Sequence, residues 1–85
     1  MTIRERIRYM RAIYGLTQKE VGEVLGVAKQ YVTMIEKNSV KATDERLEEI
    51  LLTVVKLGEA KKKGNFEEIM SDLIESRKEL LEEKQ

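Results

Sequence analysis

Lys29, Gln30, Thr33 and Met34 fall within one six-residue stretch and carry different contact chemistries. The Lys29 ammonium can donate to two adjacent acceptors, such as O6 and N7 of guanine. The Gln30 carboxamide donates and accepts at once, which matches N7 and N6 of adenine. Thr33 and Met34 offer methyl groups that can lie against the methyl of thymine. Any one of these side chains on a helix surface is ordinarily just solvated. Three polar ones together, on the outward edge of a helix that buries Val32 and Ile35, favour base contact over solvation.

Other chemistry is bounded by what is missing. The 85 residues include no His and no Cys. A familiar metal cluster or a thiolate nucleophile therefore cannot be built from them. No Gly-rich phosphate loop is present. Carboxylates are numerous, but they are interleaved with Lys and Arg on helix exteriors. Neither an enzyme, a metal site nor a cofactor is expected. The longest apolar run, Ile50 to Val55, contains Thr53 and is far too short to span a bilayer. The start, MTIRERIRYMR, is charged from the fourth residue and lacks the apolar core of a signal peptide. A cytoplasmic protein with no membrane partner is expected.

A readable edge needs a rigid support, and Thr17–Asn38 has the pattern to supply one. Thr17 and Glu20 have capping-box spacing, which starts a helix over about Thr17–Leu25. Val21, Val24 and Leu25 share one face of it. Gly22 costs a helix interior roughly 1 kcal/mol relative to Ala, so another backbone is expected to pack against it. Gly26 ends the helix in the left-handed conformation that Gly tolerates, and Val27 plugs the turn. A second helix, about Ala28–Lys37, buries Val32 and Ile35. A small residue inside the first helix, Gly at the turn and buried aliphatics on the second are what a helix-turn-helix requires.

Leu16-Thr17-Gln18, Gly22, Leu25-Gly26-Val27, Val32 and Ile35-Glu36-Lys37-Asn38 together resemble the Cro/C1-type helix-turn-helix family of phage and bacterial regulators. The resemblance runs from Ile7 to about Leu51. Gly22 stands where the family usually has Ala, which keeps the requirement for a small residue. Ala28 stands where it usually has a Ser or Thr cap, and losing that cap costs about 1 kcal/mol.

The resemblance implies an all-α fold: a compact Cro/C1-type bundle, here with an extra C-terminal amphipathic helix. It implies that Lys29, Gln30, Thr33 and Met34 face bases of double-stranded DNA in the major groove. It also implies that Arg11 pairs with Glu36, clamping the first helix to the third. The loop after the third helix would follow the sugar–phosphate backbone, making Asn38, Ser39 and Lys41 phosphate contacts, with Lys37 beside them. The second helix adds Gln18 and Lys19, because a helix N-terminus presents partial positive charge and free amides. Tyr31 either fills core space or sends its hydroxyl to a phosphate.

The flanking segments frame this unit. Thr2 and Glu5 have capping-box spacing, and Ile3, Ile7, Met10 and Tyr14 form one apolar stripe. Thr43, followed by Asp44 and Glu45, starts a helix whose stripe is Leu47, Ile50, Leu51, Val54 and Leu57. Residues 58–64 either fray or extend that helix. Asn65 then caps a final helix with a wide apolar face: Phe66, Ile69, Met70, Leu73, Ile74, Leu80 and Leu81, interrupted by Arg77. That helix can fold back or pair with another subunit. We expect the second, with Leu52 and Val55 joining the interface. The chain thus divides into a DNA-binding domain over 1–57 and a helical, dimerising extension over 58–85.

Charge follows the same division. Residues 1–41 hold eight basic and four acidic groups, and residues 42–85 hold eight basic and twelve acidic ones. The net charge of zero therefore hides a +4 half and a −4 half. A homodimeric repressor or restriction–modification controller on a palindromic operator is the expected function. The alternative is an antitoxin or adaptor whose acidic half binds a partner such as a toxin or an antagonist, with DNA binding secondary.

Overall fold

The computed structural model describes residues 1–83, with side chains through Leu80. Leu81, expected in the C-terminal apolar face, lies outside the described side chains. Five helices follow in order: α1 (Ile3–Ile13), α2 (Gln18–Leu25), α3 (Lys29–Glu36), α4 (Asp44–Lys63) and α5 (Phe66–Glu83). The fold is all-α among the described residues.

Local sequence signals start most of the helices. Thr2 and Thr17 each accept from the backbone N–H three residues on, and Glu5 and Glu20 return the bond to the cap's own N–H. These backbone and hydroxyl bonds from Thr2 hold the Glu5 carboxyl below the usual carboxylate range. A depressed pKa means the cap is complete above the ordinary carboxylate range and weakens as pH falls through the lowered value. Thr43 accepts from the Arg46 N–H at 3.1 Å. Gly26 closes α2 with φ 72°.

The apolar stripes converge on one core. Ile7 of α1, Val21 and Val24 of α2, Val32 and Ile35 of α3, and Leu47, Ile50, Val54 and Leu57 of α4 are all buried, together with Leu16. α1 lies on α4, α2 on α3, and α5 touches both α2 and α4. Gly22 meets the backbone it was expected to meet: a Cβ there would sit 2.8 Å from the Val27 carbonyl oxygen.

Of the two alternatives for residues 58–64, the structure takes the extension of the helix. α4 runs unbroken through residue 57, and Gly58 and Ala60 are buried, so the 58–63 segment is helix interior rather than a frayed junction. The boundary expected between residues 57 and 58 therefore falls inside α4. The reason lies at Gly58, where a Cβ would fall 2.1 Å from the Tyr14 ring. Glycine at this position lets the ring of Tyr14, which caps the end of α1, rest directly on the α4 backbone. α5 also packs on this unit: Phe66, Met70, Leu73 and Ile74 lie partly buried against the chain's own core. Leu52 and Leu80 stay exposed, while Val55 and Ile69 are half-buried.

Replacing Gly58 with Ala is expected to destabilise the fold, although Ala is the better helix former. Displacing the Tyr14 ring should cost about 1–3 kcal/mol, outweighing the roughly 1 kcal/mol propensity gain. Thermal unfolding would show a lower midpoint than wild type.

Candidate nucleic-acid interface

α3 presents the edge from which the chemistry began. Val32 and Ile35 anchor it inward, 1% and 0% exposed. Lys29, Gln30 and Met34 are exposed, and Thr33 is half-buried. The helix starts without a side-chain cap: Ala28 has extended backbone angles and no side-chain hydrogen bond to the first turn.

A polar brace fixes α3 against its neighbours. Arg11 Nε donates to Glu36 Oε2 at 2.6 Å, and Arg11 Nη2 donates to Glu36 Oε1 at 3.0 Å. This bidentate geometry suits a guanidinium and a carboxylate. Arg11 Nη1 also donates to the Leu16 carbonyl at 2.9 Å. Gln18 Nε2 donates to the same Glu36 Oε1 at 3.1 Å. Thr33 Oγ1 in turn donates to Gln18 Oε1 at 2.7 Å, with the Lys29 carbonyl 3.3 Å away as a second acceptor. The side chains of Arg11 and Glu36 are only 17% and 3% exposed.

The brace refines several expected roles. Thr33's hydroxyl is engaged internally, which leaves its methyl as the group for a base. Gln18 uses its carbonyl oxygen and one N–H within the protein, and its second N–H is the one left for a phosphate. Tyr31 is half-buried against the core, and the Arg46 guanidinium lies beside its hydroxyl. Burial opposes the charge on Arg46, but the Tyr31 hydroxyl and the Glu49 carboxylate outweigh it and push its pKa up. Tyr31 thus follows the core-filling alternative for its ring.

Lys19 is exposed at the first turn of α2, and Lys37, Asn38, Ser39 and Lys41 are exposed after α3. Asn38 has φ 58°, a left-handed turn residue that directs the chain away from α3. Lys19 and Lys37–Lys41 thus stand at the start of α2 and just past the end of α3.

Sequence reasoning left two features unassigned. Arg4 Nη1 donates to the Ile35 carbonyl at 3.1 Å, which brings this α1 residue to the end of α3. Tyr9 and Ile13 are also exposed, 55% and 61%, on the outer side of α1. Their spacing of four placed them on one face, but it was a face flanking the core stripe and not the stripe itself.

A family model described as helix-turn-helix matches residues 7–53, more than half of the chain. The chain belongs to the Cro/C1-like helix-turn-helix family. No curated protein and no solved structure matches it. Family membership makes this helix-turn-helix chain a DNA-binding transcription regulator. Among the described residues, no helix is long and apolar enough to cross a membrane. No group of three or more carboxylates among them is placed to hold a metal ion.

Two measurements probe the brace. Arg11→Met should destabilise the helix-turn-helix protein by about 3 kcal/mol, since it strands the Glu36 carboxylate. Adding Glu36→Leu should recover part of that loss in a double-mutant cycle. At the start of α3, Ala28→Ser should stabilise the fold by about 1 kcal/mol by supplying the absent cap, read as a higher unfolding midpoint.

Proposed function

We propose that this chain is an operator-specific transcriptional repressor, or a controller of the restriction–modification type, acting in the cytoplasm as a homodimer. The observation that carries this reading is the outward edge of α3. Lys29, Gln30 and Met34 are exposed there, while the Arg11–Glu36–Gln18–Thr33 brace holds the helix from behind. A recognition helix must combine those two properties, because its side chains discriminate bases only if the backbone is held in register.

In this reading Lys29 contacts guanine and Gln30 contacts adenine, while Thr33 and Met34 contact thymine methyls. Gln18, Lys19, Lys37, Asn38, Ser39 and Lys41 bind phosphates. Tyr31 assists only if its hydroxyl turns from Arg46. Residues 58–85 form the extension that supports assembly. Leu52 and Leu80, 64% and 59% exposed, are where a second copy gains most, with Val55 and Ile69 beside them. Two-fold symmetry would set two α3 helices about 34 Å apart on a palindromic site.

A second reading draws on α5. Glu67, Glu68, Asp72, Glu75 and Glu79 are all exposed. An acidic helix of this kind suits a basic protein partner, as an antitoxin or adaptor would need. Isolation of the chain in a stable complex with a basic protein would favour that reading.

Selection of bound duplexes from a random pool, combined with the mass of the complex, tests the first reading. A two-fold symmetric site bound by two chains is expected. Lys29→Ala and Gln30→Ala should each cost about 1–3 kcal/mol on that site, with unchanged helicity. Unchanged operator affinity in both variants would remove α3 from base recognition.

A further inference from the structure

We propose that Arg4 completes a phosphate-binding cradle with Asn38, Ser39 and Lys41, so that α1 itself grips the DNA backbone. The proposal rests on the DNA-binding reading and adds a residue that neither the helix pattern nor the resemblance assigns.

Four observations support it. Arg4 is 31 residues from Ile35 in sequence, yet Nη1 donates to the Ile35 carbonyl at 3.1 Å. This one bond holds the guanidinium at the C-terminal end of α3 and leaves most of its five N–H groups for other acceptors. Next, Arg4, Asn38, Ser39, Val40 and Lys41 line an open hollow of about 190 Å³. Two basic residues, an amide and a hydroxyl residue thus line it, and no carboxylate does. Glu5, Glu36 and Asp44 line the adjoining hollow, which shares Arg4 and Asn38. Third, among the described residues neither Arg4 nor Lys41 takes part in an ion pair. Finally, the hollow begins at Asn38, two residues beyond the end of α3, whose backbone turns left-handed there. It is continuous with the end of the helix proposed to lie in the groove.

The ligand that fits is a single phosphodiester of the duplex on which α3 lies. A guanidinium tethered at one edge and free at the others can take two phosphate oxygens, as planar Arg donors do. Lys41 supplies a second charge, and Ser39 and Asn38 supply neutral donors. Such a contact holds register without reading sequence. It also gives the anchor a use: an untethered arginine side chain would lose more conformational freedom on binding.

The test measures affinity against salt for the full chain on its selected operator and on an unrelated duplex. Wild type should give a linear log–log dependence. Arg4→Gln removes the charge while keeping a polar, helix-compatible side chain. Arg4→Gln and Lys41→Ala should each weaken both duplexes several-fold, and each should make the slope shallower by about 0.9. The ratio of operator to unrelated affinity should stay constant. Arg6→Ala, exposed on the opposite side of α1, serves as the comparison and should move the slope less than Arg4→Gln does. An unchanged slope in Arg4→Gln, with wild-type helicity and unfolding midpoint, would overturn the cradle while leaving the function intact. A changed operator preference would overturn it as well, by making Arg4 a reader of bases. Failure of the wild-type chain to bind any duplex would sink the cradle together with the function on which it rests.

Discussion

The Glu36 carboxylate is where three helices are tied together. Arg11 reaches it from α1 and Gln18 from α2, while Glu36 itself ends α3. A carboxylate only 3% exposed is tolerable because nearly all of its acceptor capacity is used. Geometry here is demanding: a guanidinium fork fits one carboxylate orientation, and the Gln18 amide then fits only one approach. The angle between α2 and α3 is therefore held by directional bonds as well as by the packing of Val21, Val24, Val32 and Ile35. Apolar packing alone would tolerate small rotations of α3, but a hydrogen-bonded network built on a buried charge tolerates few.

What was legible in the sequence was mostly what is local in the structure. The capping boxes at Thr2 and Thr17 join residues three apart, so their spacing is visible in the chain itself. The stop at Gly26 and the stripes of Val21/Val24 and Val32/Ile35 are legible for the same reason. The Arg11–Glu36 pair spans 25 residues, and only the resemblance to a known family foretold it. Arg4 had no such guide, since its partner is a backbone carbonyl that carries no sequence signature. Gly58 was silent for a related reason: its use is apparent only once the ring of Tyr14, at the end of α1, is seen above it. The final helix was legible as amphipathic, but amphipathicity states that a face is covered and not which molecule covers it.

That covering has a physical cause. A small chain buries a limited fraction of its surface, and four helices leave one side of α2 and α4 open. Phe66, Met70, Leu73 and Ile74 close that side. Arg77 lies over Gly26, where the space left by a missing Cβ is filled by its guanidinium. The acidic residues of α5 are left facing solvent, and the basic ones of α1 and the α3–α4 loop lie elsewhere on the chain. The neutral total charge is thus the sum of a basic N-terminal half and an acidic C-terminal half.

The contact between Tyr14 and Gly58 has a consequence for how related chains can diverge. Two positions 44 residues apart in sequence share a single volume, and one holds an aromatic ring because the other holds nothing. Drift at either site is conditional on the other. A descendant that acquires a side chain at 58 must first, or at once, shrink the residue at 14. In an alignment of such descendants the two columns should change together while their neighbours on α1 and α4 vary independently.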